Sequence, residues 1–137
     1  MNNKKLKVLL IEDDQIEVIK LKRALSKLEL EHVLIEAANG EVALEVLKGN
    51  EIHPDIVFLD LNMPKINGLE FLKILKNDDV FRYLPVIILT TSVNRKDILE
   101  CYRIGIAGYI LKPLKYEEYV YKIGRTLDYW SVNELIK

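Results

Sequence analysis

The sequence predicts an α/β fold in which helices cover both faces of a five-stranded parallel sheet. Five short apolar runs alternate along the chain with five segments whose apolar residues recur at helical spacing. Strands that are separated by helices pair in parallel and need helical cover on both sides. With 137 residues, half of them hydrophobic, the chain suits one domain, and it contains no repeat and no Pro/Gly-rich linker.

The first two strand–helix units are predicted within residues 6–49. Residues 6–11 form the first apolar run, and the helix after it places an apolar residue every three or four positions from Val18 to Leu28. Residues 32–37 form the second run, in which Glu36 indicates an edge strand rather than a buried one. Asn39-Gly40 opens the second helix, and Gly49-Asn50 ends it.

The other three units follow the same plan. Their strands are predicted at 56–59, 86–89 and 107–111. The third helix begins near Gly68, the fourth ends near Gly105, and the fifth starts at about Tyr116. The fifth helix repeats apolar residues at helical spacing as far as Leu127.

Composition narrows the functional classes. A formal net charge of −1 gives no reason to expect a nucleic-acid or membrane partner. The one cysteine, Cys101, excludes an internal disulfide, and the chain fits the reducing cytoplasm. The first apolar run meets an acidic cluster and has no small-residue cleavage site, so we expect a strand there and not a signal peptide. The two histidines, His32 and His53, lack partners at metal-ligand spacing, so loop or exposed positions are expected rather than a zinc site.

Polar residues follow the apolar strands at the points where the strands end. They are Glu12, Asp13 and Asp14 after the first strand, Asp60 after the third, Thr90, Thr91 and Ser92 after the fourth, and Lys112 after the fifth. In an open parallel sheet these ends share one edge, where ligands bind at the point at which the strand order reverses. A single polar residue there is usually a solvated loop residue, but four suitable types at four strand ends indicate a site.

These residue types fit the transfer of a phosphoryl group to a carboxylate. Crowded carboxylates repel one another, and Mg²⁺ relieves the repulsion because it binds carboxylates together with phosphate oxygens and water. A lysine supplies a compact positive charge for an anion, and a threonine hydroxyl can donate a hydrogen bond to it. An aspartate can act as a nucleophile that forms an acyl phosphate, in a reaction that depends mainly on positioning and charge neutralisation.

The ordered motifs resemble the response regulator receiver family of two-component signalling. They are Val8-Leu9-Leu10-Ile11-Glu12-Asp13-Asp14, Asp60-Leu61-Asn62-Met63-Pro64 with Gly68, Pro85-Val86-Ile87-Ile88-Leu89-Thr90, and Gly108-Tyr109-Ile110-Leu111-Lys112-Pro113. The chain looks like the single-domain receivers of the chemotaxis and phytochrome-associated types. The resemblance implies a flavodoxin-like sheet with strand order 2-1-3-4-5 and five helices.

The resemblance also implies a role for each site residue. Asp60 is the expected phospho-acceptor and, with Asp13, a direct ligand of Mg²⁺. Glu12 is expected to reach the metal directly or through water, and the backbone carbonyl of Asn62 completes the protein ligands.

Three further residues complete the implied switch. Lys112 is expected to pair with Asp60 and then with the phosphoryl group, and the Lys112-Pro113 bond is expected to be cis. Thr90 moves to hydrogen-bond the phosphoryl group, and Tyr109 turns inward to fill the vacated space. The face formed by helix 4, strand 5 and helix 5 adjoins these two residues and is the expected partner-binding face.

The implied partners are a sensor histidine kinase or a histidine phosphotransfer protein as donor, and a downstream protein target. Residues 1–137 are predicted to form one receiver domain with a core at about 5–129 and an apolar extension at 130–137. Because no output domain is expected after the fifth helix, the signal would pass to a partner. The Tyr129-Trp130 segment either folds back on its own domain or forms a partner or homodimer surface.

Three other functions compete with the signalling switch. A phosphohydrolase with an aspartate nucleophile commonly needs a second aspartate two positions later, where this chain has Asn62. A flavodoxin-like cofactor binder needs a phosphate loop after the first strand, where this chain has three acids. A receiver that acts only as a scaffold does not need the complete set of acids, threonine and lysine.

Overall fold

The computed structural model describes residues 4–49, 51–63 and 66–136. It confirms the predicted fold: a five-stranded parallel sheet in the order β2-β1-β3-β4-β5, with five α-helices between and after the strands. The strands are β1 (Lys7–Ile11), β2 (Val33–Ala37), β3 (Ile56–Leu59), β4 (Val86–Thr90) and β5 (Gly108–Leu111). The helices are α1 (Gln15–Lys27), α2 (Gly40–Lys48), α3 (Gly68–Lys76), α4 (Arg95–Ile104) and α5 (Tyr116–Ser131), with a short 3-10 helix at Phe81–Tyr83.

Alternating side chains of the central strands fill two separate cores. On β1, Val8 and Leu10 point to the core that α1 and α5 cover, whereas Leu9 and Ile11 point to the core that α2, α3 and α4 cover. The four residues of β3 alternate in the same way, and all of them are buried. This period of two on both faces is why these strands appear in the sequence as continuous apolar runs.

The strand bounds differ from the predicted ones by at most one residue, and local hydrogen bonds account for two of the differences. Leu6 was predicted to begin the first strand, but its N–H donates to Nδ1 of His32 at 2.8 Å, so β1 begins at Lys7. β4 extends to Thr90, which pairs with Leu111 in the register of β5. His32, which was predicted to begin the second strand, lies in the loop before β2; it is half-buried, and its side chain accepts a hydrogen bond.

The C-terminal residues extend α5 beyond the predicted end of the core. The helix continues to Ser131, so Tyr129 and Trp130 are helical residues. Trp130 and Leu135 pack against the core beneath α1 and α5, while Tyr129 is exposed. Within the described ranges, none of the helices combines the length and apolar content that a bilayer-spanning segment needs.

Candidate functional site

Backbone hydrogen bonds of the sheet fix the positions of the polar residues at the strand ends. The N–H of Glu12 donates to the carbonyl of Ala37 at 3.0 Å, and the N–H of Asp60 donates to that of Ile11 at 3.2 Å. The N–H of Lys112 donates to the carbonyl of Thr90 at 2.8 Å. The parallel ladder therefore continues one residue past the strands and holds these side chains at one edge.

Three of the predicted acids form one cluster. Carboxylate oxygens of Glu12, Asp13 and Asp60 lie within 4.8 Å of one another. Glu12 and Asp60 are buried, and Asp13 is exposed. Asp14 takes a different role as the N-cap of α1, where its side chain accepts the N–H of Ile16 at 2.9 Å.

Burial and neighbouring charge perturb the buried carboxyl group of Glu12. Burial raises the pKa of Glu12 to about 7, although the hydrogen bond and charge of Lys112 oppose the shift. The nearby Asp60 carboxylate acts in the same direction as burial. Among the described residues, the cluster therefore holds more negative charge than the ammonium of Lys112 neutralises, which is the arrangement that a bound cation stabilises.

Lys112 enters the pocket but does not pair with Asp60. Its Nζ donates to Oε1 of Glu12 at 2.7 Å and lies 3.5 Å from Oε2 of Glu17, while its side chain is 6% exposed. In the described ranges no ion pair joins Lys112 to Asp60, so the predicted pairing is wrong. The physical reason is that the carboxylates of Glu12 and Glu17 both lie within ion-pair distance of the ammonium, and the carboxylate of Asp60 does not.

The charges around Lys112 keep it protonated. Burial alone lowers its pKa, but the hydrogen bond with Glu12, with the charges of Glu12, Asp60 and Glu17, outweighs burial and raises the pKa above the ordinary value. The Lys112-Pro113 bond is trans, since no peptide bond among the described residues is cis, and the expected cis bond is therefore wrong. The N–H of Lys112 is held by the carbonyl of Thr90, and from this trans backbone its side chain extends to the carboxylate of Glu12.

Glu17 is a site residue that the sequence did not reveal. It lies in the first turn of α1, and α1 and α5 cover the same face of the sheet, which brings Glu17 to the lysine that follows β5. Its place three residues after Asp14 has the spacing of a helix-capping pair, which would have predicted the helix start but not a contact with Lys112.

The hydroxyl-bearing residues lie at the end of β4, in the loop after it and on β5. Thr90 is fully buried, and its Oγ1 accepts a long 3.4 Å hydrogen bond from the N–H of Ser92. Tyr109 is half-buried, and its hydroxyl donates to the carbonyl of Ser92 at 2.8 Å. The loop after β4 therefore links the two predicted switch residues.

The segment after Asp60 is held close to α3. The N–H of Asn62 lies 3.4 Å from Oδ1 of Asp60, and the N–H of Gly68 donates to the carbonyl of Leu61 at 3.1 Å. A Cβ on Gly68 would lie 2.6 Å from Cα of Leu61 and 2.7 Å from the carbonyl oxygen of Asp60, so only glycine permits this approach. Pro64 of the predicted motif lies outside the described residues.

The donor set suits a hard divalent cation. It consists of carboxylate oxygens, with two of the three residues buried and one open to solvent. Mg²⁺ prefers one or two carboxylates together with water and phosphate oxygens, and zinc would favour nitrogen and sulfur ligands, which this cluster lacks.

Comparison with known proteins identifies the family. The family profile described as "Response regulator receiver domain" matches residues 8–123, which is most of the chain. The chain belongs to the response regulator receiver family. Receivers of this family act as signalling switches, and phosphorylation on an aspartate is typical of them.

Relatives and solved structures of receivers agree with the fold. Chemotaxis protein CheY-3 of Vibrio cholerae is 34% identical over 111 residues, which cover 81% of this chain and 83% of CheY-3. The phosphorylated cyanobacterial phytochrome response regulator RcpA superimposes with a TM-score of 0.90 at 28% identity, covering 98% of this chain and 100% of RcpA. The Mn(2+)-bound form of the response regulator Rcp1 has a TM-score of 0.87 at 26% identity, with 96% and 99% of the two chains covered.

Proposed function

We propose that this receiver accepts a phosphoryl group on Asp60 with Mg²⁺ bound beside it. The observation that carries the proposal is the buried Asp60 carboxylate, which lies within 4.8 Å of the carboxylates of Glu12 and Asp13. The Mn(2+)-bound form of Rcp1, a similar structure, supports the divalent cation. The open Asp13 gives that cation a path from solvent.

Each residue of the pocket has a role in this proposal. Asp13, Asp60 and the backbone carbonyl of Asn62 hold the cation, and Glu12 reaches it directly or through water. The cation supplies neutralising charge for the phosphoryl oxygens. An oxygen of Asp60 attacks the phosphorus of a phosphohistidine donor, the donor's P–N bond breaks, and an acyl phosphate forms as the imidazole leaves.

Lys112, Thr90 and Tyr109 convert the modification into a change of shape. Lys112 binds the phosphoryl oxygens, and Thr90 donates a hydrogen bond to them. Tyr109 occupies the space that Thr90 leaves, and its hydrogen bond to the carbonyl of Ser92 already links it to the loop after β4. The same residues support the receiver's own phosphorylation by small donors and its dephosphorylation.

The changed shape is transmitted through α4, β5 and α5. Exposed apolar side chains on this face support a protein partner: Leu99, Tyr102, Leu111 and Tyr121. The phosphoryl donor is a sensor histidine kinase or a histidine phosphotransfer protein. The target that receives the signal is a downstream protein in the cytoplasm. The exposed Tyr129 extends the face toward a homodimer contact.

Phosphoramidate and Mg²⁺ test the proposal, with intact mass as the readout. The wild-type chain gains one phosphoryl group, and both Asp60→Asn and chelation by EDTA abolish the gain. Asp13→Asn slows it by about 10- to 100-fold because a metal ligand is lost. Asp14→Asn is the matched control, since Asn can also cap a helix and Asp14 is not in the acidic cluster. A mass gain that survives Asp60→Asn unchanged contradicts the proposal.

A further inference from the structure

One partly buried carboxylate beside the acidic cluster, that of Glu17, has no role in the phosphoryl-transfer scheme. In the described part of the chain its Oε2 is buried and makes no hydrogen bond. It lies 3.5 Å from Nζ of Lys112, whose other partner is Oε1 of Glu12 at 2.7 Å. A buried carboxylate oxygen is stabilised chiefly by a nearby cation, so the contact with Lys112 is the one that stabilises Oε2 of Glu17 in this position.

Two local partners that a helix would offer Glu17 are engaged elsewhere. A glutamate three residues after the N-cap often accepts the N–H of the cap residue, but the N–H of Asp14 lies 3.4 Å from Oε2 of Glu12 instead. A lysine three positions on often pairs with such a glutamate, but Nζ of Lys20 lies 4.4 Å above the ring of Tyr119. The carboxylate of Glu17 is therefore directed to the pocket and not to its own helix.

From this arrangement we infer that Glu17 is a positioning residue that holds the Lys112 ammonium on the α1 side of the pocket and competes with the phosphoryl group for it. The inference rests on the proposed function, because the competing anion is the group on Asp60. Lys112 must exchange the contact with Glu17 for the phosphoryl oxygens, so the strength of that contact sets how completely the phosphorylated receiver switches.

Beryllofluoride, which mimics the phosphoryl group on a carboxylate, provides the first test. At saturating Mg²⁺, Glu17→Gln binds beryllofluoride about three- to tenfold more tightly than the wild type, because one competitor for Lys112 is removed. The same variant binds Mg²⁺ alone more weakly, because the lysine charge nearby is then less neutralised. A purely structural residue would shift thermal stability without moving the two affinities in opposite directions.

Glu70→Gln is the matched control. Glu70 lies in the first turn of α3, three residues after the N-cap Asn67, just as Glu17 follows Asp14 in α1. Its carboxylate accepts a hydrogen bond from Nδ2 of Asn67 and is exposed. Neutralising it removes one charge from a helix start but leaves Lys112 unaffected, so both affinities remain at the wild-type values.

A double-mutant cycle separates competition for Lys112 from a simple change of charge. In the Lys112→Gln background, Glu17→Gln no longer tightens beryllofluoride binding. An equal gain in both backgrounds, or no gain in either, overturns the inference. If Glu17→Gln does not fold, Glu17→Asp decides: the shorter side chain keeps the charge, loosens the contact and tightens beryllofluoride binding, and unchanged binding overturns the inference.

The wild-type chain distinguishes the failure of this inference from the failure of the proposed function. If it binds no beryllofluoride and gains no phosphoryl group, the proposed function is wrong and the inference fails with it. If it does both and Glu17→Gln binds beryllofluoride as the wild type does, the function stands and only the role of Glu17 is wrong.

Discussion

Two buried aspartates lie at opposite ends of the same strand, and their surroundings differ. Asp55 precedes β3, and Asp60 follows it. Oδ2 of Asp55 accepts the N–H of Lys7 at 2.7 Å, and the N–H of Asp55 donates back to the carbonyl of Lys7 at 2.7 Å. Asp60 receives a long 3.4 Å contact from Asn62 and faces two other carboxylates. Burial alone does not mark a functional acid, but burial among like charges does.

Replacing each aspartate by alanine should separate stability from function, and this is the largest effect we expect. Asp55→Ala lowers the free energy of unfolding by about 1 kcal/mol, because the part-buried N–H of Lys7 loses its acceptor, and it leaves phosphoryl uptake intact. Asp60→Ala abolishes uptake and leaves the free energy of unfolding unchanged or raised by about 1 kcal/mol, because repulsion with Glu12 is relieved. Denaturant unfolding and intact mass measure the pair, and the reverse pattern would refute the comparison.

The central strand was easier to predict from the sequence than the last helix. The bounds of β3 are as predicted, because a run of buried apolar residues between polar ends has few alternatives. The helical repeat of the last helix was followed only to Leu127, although Trp130 continues it three residues later and the helix runs to Ser131. This spacing would have predicted that Trp130 packs against the core.

The candidate site was predictable where strands determine it. Glu12, Asp60 and Lys112 lie at strand ends, and the topology brings them together without detailed packing. The choice of Glu12 over Asp60 by Lys112, and the presence of Glu17, depend on how α1 lies beside the pocket. Side-chain competition between three carboxylates for one ammonium is set by distances that no sequence period encodes.

The acid cluster should make stability fall as the pH rises. Burial raises the pKa of Glu12 to about 7 in the folded state, from 4.5 when unperturbed, so between these values the folded chain binds more protons than the unfolded chain. The free energy of unfolding therefore decreases across this window, by about 3 kcal/mol at most. Glu12→Gln removes the slope, as does saturating Mg²⁺ by stabilising the ionised acid. A slope that persists in Glu12→Gln argues against this origin.

The opposite end of the sheet should show a dependence of stability on pH that has the opposite sign. Burial lowers the pKa of His32 below its ordinary 6.5, although the charge of Asp128 opposes the shift, and its Nδ1 must be unprotonated to accept the N–H of Leu6. The unfolded chain then binds more protons in the window below 6.5, so stability is lost as the pH falls through the folded pKa. His32→Asn removes this loss, whereas His53→Asn, at an exposed position, retains it. Denaturant unfolding across this window, performed in the Glu12→Gln background, isolates the effect.

The chemical identity of the modified residue tests the central claim most directly. After incubation with phosphoramidate and Mg²⁺, reduction with borohydride converts an aspartyl phosphate to homoserine, which peptide mass spectrometry locates. We expect homoserine at Asp60 and unmodified aspartate at Asp13, Asp14 and Asp55. Homoserine at any of those three positions, with Asp60 unmodified, would contradict the account.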